Sequence, residues 1–114
     1  MLIKGKTITL QTYLIKVKTI TLQMYSDPGH GWVKYAKSKL QKLGIATKIS
    51  IHSYQKNEYA FLEKDRDLKI LIDALRAKGY GVKFREVSVA KNYSRIRLYD
   101  RYMSGTISSA WLKV

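Results

Sequence analysis

Hydrophobic and polar positions alternate along Lys18–Tyr25: Ile20 and Leu22 fall on one face, Thr19, Thr21 and Gln23 on the other, and Met24 continues the apolar side. A period of two in β-branched residues predicts a half-buried strand. SDPGHG follows. Pro28 presets the first turn dihedral and Gly29 accepts positive φ, so the stretch predicts a turn. Trp32–Tyr35 (WVKY) then reads as a second strand closing a hairpin; the alternative is a helix that begins at once, near Val33. Ala36, Leu40 and Leu43 change the spacing to a helical one. They predict a short helix from Lys37 or Ser38 to Leu43, with Gly44 where a C-terminal cap belongs and Ile45 as its hydrophobic contact. Lys48–Tyr54 (KISIHSY) alternates again, placing Ile49 and Ile51 on one face. With Gln55-Lys56-Asn57 as a polar turn and Glu58–Glu63 (EYAFLE) as the return strand, this predicts a second hairpin.

The longest helical period follows. Leu68, Leu71, Ile72 and Leu75 recur at i, i+3, i+4, i+7. Asp65 stands as N-cap, Asp67 in the first turn where the helix dipole favours an acid, and Lys78-Gly79 ends the run. Val82–Val89 (VKFREVSV) reads as a strand and Ser94–Tyr99 (SRIRLY) as another. Beyond Asp100 the assignment weakens, although Trp111 and Leu112 can dock the tail on the core. The order is β(β)αββαβ(β). Without WVKY it becomes βαββαβ, compatible with a ferredoxin-like arrangement. The expected class is α+β: a small single domain with an antiparallel sheet and two helices packed on one face.

KTITLQTY at Lys6–Tyr13 returns twelve positions later as KTITLQMY, Lys18–Tyr25. Two copies of eight residues do not make a stacking array. LIKV between them lacks every residue type of a hairpin turn. A duplication is therefore inferred, with residues 1–17 as a duplicated N-terminal strand segment and 18–114 as the α+β domain. Strand edges seek partners, so the first copy is expected to pair at a sheet edge, in its own molecule or a neighbour's. The alternative is a disordered leader. A homo-oligomer through this strand is the corresponding partner expectation.

Composition narrows the class. The chain of 114 residues has no cysteine, which excludes disulfides and Cys-ligated zinc and is compatible with a reducing cytosol. No apolar run approaches the roughly 18 residues of a membrane span, so no membrane partner is expected. Charge is more informative. Twenty-two Lys and Arg oppose eight Asp and Glu, a formal +14. Residues 1–50 hold a single acid, Asp27, against nine Lys, so the excess spreads over the chain and is not a detachable tail. Such a protein repels itself and attracts polyanions.

Local motifs for catalysis are absent: there is no GxGxxG, P-loop or nucleophile elbow. His30 reads as a turn residue beside Trp32, and His52 as a half-exposed sheet residue. Two His and no Cys do not complete a tetrahedral zinc site without carboxylates from elsewhere, so no metal and no cofactor is assigned. Glu58, Glu63, Asp65 and Asp67 gather half of the acids and raise a metal-dependent nuclease as an alternative. Helix-start roles for Asp65 and Asp67, and the odd spacing of Glu58 and Glu63, account for them without it.

Bases interleaved with aromatics make the stronger constellation. YSRIRLYDRY holds Arg95, Arg97 and Arg101 with Tyr93, Tyr99 and Tyr102. On a strand Arg95 and Arg97 share a face with Tyr93 and Tyr99. Guanidinium pairs with phosphate bidentately, and tyrosine stacks on unpaired bases. Lys34, Lys37, Lys39 and Lys42 form a second cluster around the short helix. The expected function is non-enzymatic binding of nucleic acid or a nucleoprotein complex; a pure protein-interaction module is the alternative.

ITLQMYSDPGHGWVK, LGIATKIS, SYQKNEYAFLE, KFRE and SRIR together resemble a group of small uncharacterised proteins of tailed bacteriophages and prophages. The resemblance covers about Lys18 to Tyr99. Members of that group begin near the second KTITLQ copy and are richer in acids, and this chain departs on both counts. The resemblance implies a cytoplasmic protein of an infected bacterium that blocks host defence, of anti-CRISPR or anti-restriction type, by binding a nuclease or an RNA-guided complex. It carries over no catalytic residue.

Overall fold

A computed structural model describes residues 18–104. The first KTITLQ copy, the duplicated segment 1–17 and the docking of Trp111 and Leu112 lie outside the described residues. Strands β1 (Thr19–Ser26) and β2 (Gly31–Ala36) form the expected antiparallel hairpin, with Gln23 opposite Lys34 and Ser26 opposite Gly31. Helix α1 (Lys37–Lys42) follows, then a 3₁₀ turn (Ala46–Lys48), β3 (Tyr54–Lys56), β4 (Tyr59–Glu63), α2 (Leu68–Ala77), β5 (Gly81–Val89), a 3₁₀ segment (Arg95–Leu98) and the short β6 (Asp100–Arg101). The result is one small α+β domain. Its sheet runs in the order β5-β1-β2-β4-β3-β6.

Both helices pack on one face of that sheet. Leu22, Val33, Ala60 and Leu62 from the strands meet Leu40 from α1 and Leu68, Leu71 and Leu75 from α2. Each fully buried leucine contributes about 1.5–3 kcal/mol. Both helices end as their glycines predict: Gly44 and Gly79 lie at φ +75° and +91°, a backbone conformation that residues with a side chain rarely adopt. Around them Ile45 N donates to Leu40 O and Tyr80 N to Leu75 O, which closes the last turn of each helix. No helix of the described residues is long and apolar enough to cross a membrane.

The sheet is mixed, not wholly antiparallel, because β5 runs parallel to β1 (Thr19 opposite Gly81, Leu22 opposite Phe84). β4 has the same direction as β1 through two antiparallel steps. α2 carries the chain from β4 across to β5, and a helical crossover returns the next strand parallel. β2 sits between β1 and β4, so the βαββαβ order holds only with an added strand.

Three local expectations are corrected. Lys48–Tyr54 is not a strand: Ser50 donates its amide and its hydroxyl to Asp67 Oδ2, at 3.1 and 2.8 Å, and Ser53 donates its hydroxyl to the same oxygen. These bonds bend the chain, so Ile49 is 7% exposed and Ile51 67%. Asp65 is not the N-cap of α2. Asp67 holds that position, but its buried carboxylate is taken by the two serines and makes no capping bond. Ser94–Tyr99 is not a strand. Ser94 Oγ accepts from Ile96 N and Ser94 N donates to Asp27 Oδ2, which winds residues 95–98 into a 3₁₀ turn.

Candidate nucleic-acid interface

The face of the sheet away from the helices is aromatic. Trp32 from β2, Tyr54 from β3 and Phe61 from β4 are buried there with Ile96, and Tyr25, Tyr59 and Tyr99 pack around them. The segment from Tyr93 to Tyr99 covers part of this face. Ile96 plugs into the cluster, and the Tyr99 ring lies 5.2 Å from Phe61.

One buried acid holds that cover in place. Asp27 opens the SDPGHG turn and accepts from Arg97 Nε at 2.7 Å and Arg97 Nη2 at 2.8 Å. The amides of Gly29, His30 and Ser94 complete the set, each at 3.0 Å. The Arg97 guanidinium holds the Asp27 carboxyl far below the usual carboxylate range; burial opposes this, and the three amides reinforce it. Asp27 in turn raises Arg97 above its ordinary value. The bidentate pair ties the turn of residues 27–30 to the 3₁₀ segment across the sheet.

Cations stack on the rings of this face. Lys34 Nζ lies 4.2 Å from the centre of Tyr59, Lys56 Nζ 4.8 Å from Tyr99, and the Arg101 guanidinium 4.7 Å from Tyr54. Arg97 lies 5.0 Å from Tyr93 and 5.6 Å from Trp32. Register adds two more cations. Lys83 is opposite Thr21 and Arg85 opposite Gln23, so both share the face of Tyr25 and Lys34. Among the described strand positions of this face the one carboxylate is Glu63. Ion pairing does not cancel the excess charge either: in the described residues only Lys69 and Arg97 among the Lys and Arg side chains pair with a carboxylate.

Beside the covering segment lies an open cleft of about 460 Å³, lined by His30, Trp32, His52, Tyr54, Arg97 and Arg101 together with Glu63, Asp65 and Arg66. His30 Nδ1 is 2.8 Å from Glu63 Oε2, and Glu63 Oε1 accepts from the Asp65 amide. The Glu63 side chain is 8% exposed and that of His30 46%. Ligand-type atoms of His30, Glu63 and Asp65 lie within 4.8 Å of one another. Each Glu63 oxygen already accepts one hydrogen bond, Oε2 facing the imidazole and Oε1 the Asp65 amide. The Trp32 indole N–H, on the cleft wall, is buried with no protein partner among the described residues.

The expected site residues divide. Arg97, Arg101, Lys34, Tyr93 and Tyr99 gather on the aromatic face, with Tyr93 63% exposed. Arg95 is exposed on the 3₁₀ segment and does not share a strand face with Arg97. Arg97 itself is committed to Asp27. Lys37, Lys39 and Lys42 belong to the helix side. Lys37 is buried, donates to Gln55 Oε1 at 3.0 Å, and is pushed below its ordinary value by burial. Lys39 lies over Tyr35, and Lys42 borders Leu43, Lys78 and Tyr80.

Sequence reasoning missed Lys56, Lys83, Arg85 and the His30–Glu63 pair. The alternation of VKFREV carries the signal for Lys83 and Arg85; nothing local signals a contact across 33 positions. Comparison of the chain with protein-family models, with curated proteins and with solved structures finds no match, so the functional reading rests on this face and its cleft alone.

Proposed function

We propose that the protein binds single-stranded nucleic acid across the outer, aromatic face of its sheet. The supporting observation is the coincidence of unpaired cations and partly exposed rings on that face: Lys34, Lys56, Lys83, Arg85 and Arg101 with Tyr25, Tyr59, Tyr93 and Tyr99. Phosphates meet the cations. Splayed bases stack on the rings, at about 1–3 kcal/mol per base. A duplex hides its bases from such a surface, so the unpaired strand is the better substrate. The Asp27–Arg97 lock holds the covering segment still, which reduces the ordering that binding has to impose.

The test is fluorescence anisotropy with a labelled single-stranded oligonucleotide over a salt series. Affinity should fall steeply between about 50 and 200 mM salt, because counterions are released at each phosphate contact. Binding that ignores salt would overturn the proposal.

The second reading, association between copies, is favoured by β5. Its outer edge has no strand partner among the described residues, and Phe84, Val87 and Val89 are exposed along it. An open strand edge with apolar side chains templates pairing. Sedimentation at high salt separates the two readings, since edge pairing survives screening and phosphate contacts do not.

A further inference from the structure

We propose that His30, oriented by Glu63, is the general base of a ribonuclease reaction in the cleft. The inference rests on the nucleic-acid reading of the outer face and adds a reaction to it. His30 is held at its backbone and at its ring. Its backbone amide donates to Asp27 Oδ1 at 3.0 Å, and ring Nδ1 lies 2.8 Å from Glu63 Oε2, an arrangement in which the neutral ring keeps its proton on Nδ1 and donates it to the carboxylate. Glu63 is itself held, on β4 opposite Trp32 and by the Asp65 amide at Oε1. With Nδ1 on the carboxylate, Nε2 is the bare acceptor of a half-exposed ring in the cleft wall. A base whose other nitrogen is fixed by a buried carboxylate is the arrangement that activates hydroxyl nucleophiles. Arg66 and Arg101 border the same cleft without carboxylate partners among the described residues, and are placed to balance charge on phosphate oxygens.

The nucleophile comes with the substrate. No serine, threonine or cysteine lines the cleft. The ribose 2′-hydroxyl is already held next to the phosphorus, which removes the entropy cost of bringing in a separate nucleophile. Nε2 takes the 2′-hydroxyl proton. The O2′–P bond forms as the P–O5′ bond breaks, and the electron pair leaves on the 5′-oxygen, which takes a proton from water. The hydroxide so formed recovers the proton from His30. The products are a 2′,3′-cyclic phosphate and a 5′-hydroxyl. His30 is the catalytic residue and Glu63 a positioning residue.

The experiment incubates the full chain with labelled single-stranded RNA in EDTA, beside the same sequence as DNA, and measures binding of each in parallel. Expected are cleavage of RNA with cyclic-phosphate ends, and DNA bound but intact. His30→Ala should lose about 10²–10⁴-fold in rate with RNA affinity unchanged. His30→Gln replaces it if melting shows the alanine variant unfolded. Glu63→Gln should lower kcat per folded molecule, with the folded fraction measured by melting, and Glu63→Asp, which keeps a carboxylate, should restore part of the rate. RNA that is bound yet intact in EDTA overturns this inference and leaves the binding proposal standing; RNA that is not bound overturns this inference, and the binding proposal falls with it when the DNA is not bound either. Cleavage equal in wild type and His30→Ala, or cleavage only with added Mn²⁺ and lost in Asp65→Ala, also overturns the dyad.

Discussion

The two faces of this sheet are closed by different physics. On the helix side, leucines from α1 and α2 meet Leu22, Val33 and Leu62 in a continuous aliphatic layer. On the outer side, a 3₁₀ segment with one buried isoleucine lies on rings, and a carboxylate with five donors ties it down. The aliphatic layer is non-directional. The polar closure is directional and leaves an open cleft beside it, with side chains fixed at its rim. On the proposed reading stability and recognition are divided between the faces, and the division can be broken from either side.

The largest effect belongs to the helix face. Leu71→Ala empties a fully buried position and should destabilise by about 2–5 kcal/mol in urea denaturation. A loss under about 1 kcal/mol would mean that the layer repacks freely. Next comes the outer lock. Asp27→Asn leaves Arg97 without its partner and should cost about 3 kcal/mol at neutral pH.

The pH dependence of that loss has a definite sign. The folded carboxyl lies far below its unfolded value, so its contribution is complete above about pH 3.9 and declines as pH falls further. The gap between wild type and Asp27→Asn should therefore narrow toward about pH 2. A constant gap would assign the loss to packing and not to charge.

A third experiment contrasts the cations of the two faces. Replacing Lys34, Lys56 and Arg85 by Ala should reduce the salt dependence of oligonucleotide binding by about one unit of slope per side chain. Replacing Lys39 and Lys42, on the helix side, should leave the slope unaltered; equal losses from both sets would dissolve the distinction. The smallest change in stability is expected for Tyr93→Ala, within about 0.5 kcal/mol because the ring is exposed. Its binding loss should reach about 1–3 kcal/mol if a base stacks there. Unchanged affinity would remove Tyr93 from the interface.

Much of this was written locally. The leucine spacing of α2, the alternation of β1 and β5, and Gly44 and Gly79 past the helix ends each depend on neighbours within about four positions. Those features therefore appear where the sequence alone places them. Excess positive charge was equally legible, because there are too few acids to cancel it wherever they fall. The misread stretches are those in which a side chain from elsewhere takes over the backbone. Asp67 draws Ser50 and Ser53 out of a strand, and Asp27 draws Ser94 and Arg97 into a turn. KISIHSY and SRIRLY alternate well enough, but their competing hydrogen-bond partners lie 14 to 70 positions away.

The amino-acid sequence by itself determined the class, most of the elements and the sign of the surface. Only the tertiary structure decided which cations share a face, that β5 runs parallel to β1, and that His30 meets Glu63. Periodicity is a property of consecutive residues, whereas a site is a property of residues that the fold makes neighbours.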